Sequence, residues 1–315
     1  MRELWLKEWL SESILAFTHL DILLNQVQCH APYSDGTGIA VSLLCHHDRR
    51  PATMLLSEKL LLHGKFRDLE NKAWYRYCSP QGFYPLAGAL IPWLAAAALT
   101  ACTAGLYLGF FIAPVDARQG EVARIAFIHI PASLASMLVY LAMAISAGIG
   151  LVFNARLAAM AAQALAPTGL MLTFLSLWTG CLWGKPNWGS WWVWNLQTYS
   201  ESVLAFLYIG FIGLQTAIED SHWAGKAGAL LALAGILGIP VIFAAVPSWT
   251  IQHQGALSGA TGATGFGAGE LASLLAMSLG FLLYAGAAAL LRLRCVILER
   301  ERQSDWVARR RSGAP

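Results

Sequence analysis

The chain has 315 residues, 57% of them hydrophobic and only 12% charged, with a formal net charge of +3. Soluble domains carry about 25% charged residues, so this composition excludes an ordinary soluble enzyme and points to an integral membrane protein. None of the six cysteines stands in a C-x-x-C or C-x-x-C-H pattern, which argues against a thioredoxin-like reductase and a c-type cytochrome.

Residues 1–80 are polar to mixed and hold His19, His30, His46, His47 and His63. They do not read as a signal peptide, because Glu3 and Glu8 interrupt the basic start and no small-residue cleavage site follows an apolar core. The Cys29-His30 and Cys45-His46-His47 pairs match no standard zinc spacing. Met54 is a candidate internal start. The expectation is an atypical extension over 1–80, cytoplasmic or disordered, with 1–53 a mis-called start or a poorly ordered segment. Intact mass of the native protein tests this.

A membrane-spanning helix needs about 20 predominantly apolar residues. Six segments approach that length: 86–112, 125–153, 157–182, 202–218, 227–251 and 271–291. The expected fold is all-α, with six transmembrane helices forming a domain over 85–295 and a basic tail over 296–315. Lys and Arg near the span ends set orientation. Arg292, Arg294, Arg300, Arg302 and Arg309 follow the last span, and Lys65, Arg67, Lys72 and Arg76 precede the first. Both termini are therefore expected in the cytoplasm. The segment between spans three and four then faces outward, into the periplasm of a Gram-negative cell.

That segment is Trp183-Gly184-Lys185-Pro186-Asn187-Trp188-Gly189-Ser190-Trp191-Trp192-Val193-Trp194-Asn195. Trp is common at membrane interfaces as an anchor. This density, beside Gly184 and Gly189, suits instead a surface that holds a large, flat, apolar ligand such as a porphyrin. Two histidines share its depth. His129 lies near the outer end of span two, and His253 lies just past span five. An ionisable group at such a place is a functional candidate, and neutral imidazole is a standard axial ligand for haem iron. A lone membrane histidine also serves by bonding a backbone carbonyl. Arg118, Arg124 and Lys185 are candidates to pair with haem propionates. His222, in the charged turn Glu219–Trp223, reads as solvated.

The tryptophan segment resembles the WWD signature of haem-handling proteins, whose core is WGxxWxWD. The wider pattern resembles the CcmC family of bacterial cytochrome c biogenesis system I. It includes Ala113-Pro114-Val115-Asp116 with Gln119-Gly120, the step His129-Ile130-Pro131, Ala166-Pro167-Thr168-Gly169, Ser200-Glu201 and His253-Gln254-Gly255. The resemblance covers about residues 85–305. It implies a haem-binding and transfer protein in the bacterial inner membrane, with six spans and cytoplasmic termini. His129 and His253 would be axial ligands to haem b, and Trp183, Gly184, Trp188, Trp191, Trp192, Trp194 and Asn195 would contact it within a WWD segment of 183–201. The implied partners are the ABC transporter subunits CcmA and CcmB, the small membrane subunit CcmD and the periplasmic haem chaperone CcmE. No nucleic acid is implied. One departure is plain: the family motif ends in Asp, and this chain has Asn195. Asn keeps an acceptor and loses the charge.

The chain has no GxxxxGK[ST] motif, so ATP use falls to a partner. The alternatives are a haem lyase sharing the WWD segment and a small-molecule transporter subunit. A lyase is expected to have more spans or a large outer domain. A transporter is expected to carry ionisable groups near the midplane.

Overall fold

A computed structural model of the chain describes residues 75–116, 119–238 and 267–311. The chain divides into two units, 1–83 and 84–315. Of the first, the description covers only a short turn, Tyr75–Cys78, and the opening residues of the first long helix. The expected extension over 1–74 lies outside the described residues.

The second unit is helical, and no strand occurs among the described residues. In chain order the helices are α1 (Pro80–Tyr107), α2 (Ala126–Phe153), α3 (Arg156–Trp188), α4 (Leu196–Ala217), α5 (Ser221–Ile236), α6 (Ala268–Arg300) and α7 (Asp305–Arg311). A wide turn, Leu108–Ile112, prolongs α1, and a tight one, Glu121–Ile125, leads into α2. Among the described residues five helices are long and apolar enough to cross a membrane: α1, α2, α3, α4 and α6. The expected fifth span coincides with α5 as far as Ile236, and its remainder, 239–251, lies outside the described residues.

The surface pattern fits a hydrocarbon solvent. Trp93, Leu99, Phe111, Val152, Phe153 and Phe206 are all more than two-thirds exposed. In lipid such residues gain little by moving inward, so association rests on close packing and on hydrogen bonds between helices. The interior is accordingly built from small residues around a few rings. Ala144, Ala166 and Ala232 surround Tyr140, Tyr208 and Phe211 where α2, α3, α4 and α5 meet. The Tyr140 and Tyr208 rings meet edge to face at 5.3 Å. Each hydroxyl donates to a backbone carbonyl of another helix, Tyr140 to Ala232 (3.0 Å) and Tyr208 to Ser136 (2.8 Å). Gly169 on α3 lies directly beneath the Tyr208 ring, where any Cβ would overlap it.

Helix ends are closed by side chains that sequence rules favour at those positions. Asp220 accepts from the His222 and Trp223 amides to start α5, as a good N-cap does. Glu270 accepts from the Gly267 amide (2.9 Å) at the start of α6. Asn154, in the left-handed region (φ 50°), ends α2.

Candidate functional site

Helix α3 sets the site. Its 33 residues, at 1.5 Å each, span about 50 Å, well beyond the roughly 30 Å hydrocarbon core. Its last turns therefore carry Trp183-Gly184-Lys185-Pro186-Asn187-Trp188 as helix rather than as loop. The sequence reading ended this span at Leu182. The helix continues through Pro186, and Asn187 donates its side-chain amide to the Trp183 carbonyl (2.7 Å). Gly189, at φ 74°, closes it and donates to the Lys185 carbonyl (3.0 Å). Only Gly enters that region without cost.

The chain then runs without regular structure through 190–195 and re-enters helix at Leu196, six residues before the expected start of span four. Asn195 is the N-cap of α4. Its Oδ1 accepts from the Thr198 backbone N–H (2.9 Å) and the Thr198 hydroxyl (3.1 Å).

These segments and α2 enclose a narrow cleft. Its walls include His129, Trp183, Gly184, Trp188, Trp191, Trp192 and Asn195. Seven of the sequence-predicted site residues thus share one cleft. Trp194 stands beside it, stacked on Tyr199 at 4.8 Å and meeting the edge of Trp192 at 5.1 Å. His253 lies outside the described residues.

His129 is in the first turn of α2 and buried. Its Nδ1 is 2.9 Å from the Ser176 carbonyl and 3.2 Å from the Thr179 hydroxyl. A carbonyl only accepts, so Nδ1 carries the proton. Nε2 is then the lone-pair nitrogen, and it meets the Gln197 amide at 3.3 Å. The hydrogen bond made by one imidazole nitrogen decides which nitrogen is open to a metal. Here Nε2 is that nitrogen, on a cleft wall. Gly180 gives the ring its room, since a Cβ there would stand 3.3 Å from His129 Cε1.

The tryptophans divide by exposure. Trp183 is buried, donates its indole N–H to Gln119 Oε1 (2.8 Å), and meets Trp188 edge to face at 4.8 Å. Trp183 therefore fixes the α3 end to the turn before α2. Trp188, Trp191, Trp192 and Trp194 are open, from 37% exposed for Trp192 to 60% for Trp194. Gly184 is buried against Trp188 and the Ser190 carbonyl, so its part is packing beneath the open rings.

The cleft itself encloses about 50 Å³, room for a water or two. A ligand pocket for a molecule of drug size is about 300 Å³ or more. A large planar ligand does not fit inside the cleft at this width, and the open rings of Trp188, Trp191 and Trp192 stand at its walls.

At the cleft floor stands Glu201, one turn into α4. One of its oxygens accepts from the Ser133 and Ser176 hydroxyls, and the other has no hydrogen-bond partner among the described residues. The cations weighed for propionates separate. Lys185 is exposed, donates to the Gly189 carbonyl (3.0 Å) and lies 5.7 Å from the Trp191 ring centre. Arg124 is engaged by Glu121 (2.5 Å) and by the Gly109 and Ala113 carbonyls, so it acts as a brace. Arg118 lies outside the described residues. No cluster of three or more metal-ligating side chains occurs among the described residues.

The sequence profile of the family described as heme exporter protein C (CcmC) matches residues 73–308. The chain belongs to the CcmC family. Relatives named heme exporter protein C include that of Escherichia coli K12, 40% identical over 238 residues, which cover 75% of this chain and 96% of the relative. That of Haemophilus influenzae is 36% identical over 231 residues, covering 73% and 94%. That of Bradyrhizobium diazoefficiens is 37% identical over 226 residues, covering 72% and 86%. The matched CcmC region contains the whole cleft.

Sequence reasoning missed Ser176 and Gln197, which line this CcmC cleft, and Thr179, whose hydroxyl meets His129 Nδ1. Ser176 and Thr179 are three apart on α3, and Gln197 and Glu201 are four apart on α4. Each pair lies on one helix face, a signal available only once both helices are known to reach this depth.

Proposed function

We propose that this protein binds haem at the outer face and presents it to the periplasmic chaperone CcmE during cytochrome c maturation. It does so beside the ABC subunits CcmA and CcmB and the small subunit CcmD, in the bacterial inner membrane with both termini cytoplasmic. The observation that carries this reading is the hydrogen bonding of the His129 ring. Its Nδ1 proton is held by the Ser176 carbonyl, which leaves the Nε2 lone pair toward the cleft, beside four open tryptophans.

Haem is the cargo. The donor set suits it, with one neutral imidazole to approach iron and aromatic faces to cover an apolar ring. Gln197 donates to Nε2 and yields that position when iron arrives. Lys185 stands at the rim, where a propionate is solvated. His253 is the expected ligand on the opposite side of the iron, and the ring is haem b. The cleft is too small to enclose the macrocycle, so one edge stays open to the receiving chaperone. The bond-forming chemistry lies in the haem and the acceptor, and this chain binds, orients and releases.

The test is the visible spectrum of detergent-purified protein co-expressed with its chaperone, wild type beside His129→Ala and His253→Ala. The expected result is a Soret band with low-spin features that weakens or shifts in both variants. A wild-type protein that stays colourless when supplied with haem overturns the reading and leaves the tryptophans as an anchor.

A further inference from the structure

The opposite end of the bundle holds a second and larger cavity, of about 340 Å³. Five helix ends frame it: α2 at Asn154, α3 at Arg156, α4 at Gln215, α5 at His222 and α6 at Arg300. It lies the full length of α2 from His129. At 1.5 Å per residue over 28 residues that is about 40 Å.

Its lining is divided. The deep wall is apolar and small, with Ala147, Gly150, Leu151, Ala162 and Phe211. The rim carries Arg156, Lys226 and Arg300, with His222 between them. One acid faces these cations. Glu301 accepts from Arg156 (3.3 Å) and from the Trp306 indole (3.0 Å). The Arg156 side chain is 79% exposed, so that pair is a weak surface contact. Lys226 lies 4.8 Å from the Trp223 ring centre. Asp220 is occupied in capping α5. Among the lining residues three cations thus face one acid, with Glu299 beside Arg300 and Asp220 at the start of α5 outside the lining.

The level of the rim is also informative. The polar turns 154–155 and 218–220 mark where the apolar helices end. Exposed Phe153 and Trp223 flank them, as aromatic residues do at the border of a bilayer. A cavity with an apolar back and a cationic rim, opening between helices at that level, matches an amphiphile with an anionic head. Anionic phospholipid meets both demands, and basic pockets between transmembrane helices are suited to such head groups.

We infer that this cavity is a binding site for an anionic phospholipid, its phosphate on Arg156, Lys226 and Arg300 and its glycerol and upper acyl carbons on the Ala147–Phe211 wall. The site is separate from the tryptophan cleft and uses none of its residues.

The experiment is native mass spectrometry of the full-length protein. It is incubated in detergent with equimolar dioleoyl-phosphatidylglycerol and dioleoyl-phosphatidylcholine, with and without millimolar inorganic phosphate. Wild type is expected to retain phosphatidylglycerol in preference. Each cation replaced lowers that preference roughly fivefold, so Arg156→Gln/Lys226→Gln/Arg300→Gln abolishes it while the haem spectrum stays as in wild type. If the triple variant fails to fold, the half-exposed Lys226→Gln alone still lowers the preference severalfold. Equal retention of the two lipids by wild type overturns the inference, as does an undiminished preference in the variants. Stabilisation by inorganic phosphate without phosphatidylglycerol retention also overturns it, because the ligand is then free phosphate rather than lipid.

Discussion

Asn195 offers the sharpest test of how the cleft is held. Its Oδ1 accepts from the Thr198 amide at 2.9 Å and from the Thr198 hydroxyl at 3.1 Å, and these bonds start α4. Gln197, which faces His129 Nε2, lies within that first turn. Replacement by Ala removes the cap, a loss of about 1 kcal/mol. In a domain of this size 1 kcal/mol shifts the melting temperature by about 2–4 °C. Asn195→Asp keeps both acceptor bonds and adds a negative charge at a helix N-terminus, which contributes about 0.3–1 kcal/mol. The expected order of thermal stability in detergent is Asp at or above wild type, with Ala below both. Haem retention follows the same order, because the cap acts through the position of Gln197 and Thr198. The assay is a melting curve and a haem-to-protein absorbance ratio for all three proteins. If Asn195→Asp changes haem retention or chaperone loading severalfold while melting like wild type, the carboxylate has a role that the amide does not fill. The cap account then fails.

Four further outcomes follow from the packing and the cleft. Gly169→Ala drives a methyl into the Tyr208 ring and is expected to destabilise by about 1–3 kcal/mol; melting no lower than wild type would show that α3 can move away from α4. Glu201→Gln keeps an acceptor for the Ser133 and Ser176 hydroxyls and should melt closer to wild type than Glu201→Leu does. Glu201→Leu strands both hydroxyls and should be destabilised by about 1–3 kcal/mol. Gln197→Leu leaves His129 Nε2 without its amide donor; it is expected to retain haem at least as well as wild type, and loss of the Soret band would mean that Gln197 contacts the cargo directly.

Much of this architecture is legible in the sequence, because hydrophobic length is a strong signal in lipid-facing helices. The spans beginning near 86, 125, 157 and 271 all correspond to helices. The tryptophan motif and His129 are visible as residue types in unusual places. The boundaries around the motif are not. Gly184, Lys185 and Pro186 lower the local hydropathy and read as the end of a helix. Nothing in a hydropathy profile shows that a helix can leave the hydrocarbon and continue as a stalk. Likewise Gln197 and Thr198 read as a polar linker, although Asn195 is a good N-cap residue and marks the start of α4. The roles of Ser176 and Gln119 depend on contacts across 47 and 64 positions of sequence, a distance over which periodicity carries no information.

One arrangement in α3 has a mechanical consequence. The carbonyl that orients the imidazole, Ser176, the buried indole of Trp183 and the open indole of Trp188 are carried by one helix. The indole of Trp183 is also tethered to the turn that begins α2, the helix on which His129 rides. The setting of the His129 ring and the tryptophans of α3 are thus coupled through one element, so a displacement of the tryptophan-bearing end of α3 also displaces the Ser176 carbonyl against which His129 rests.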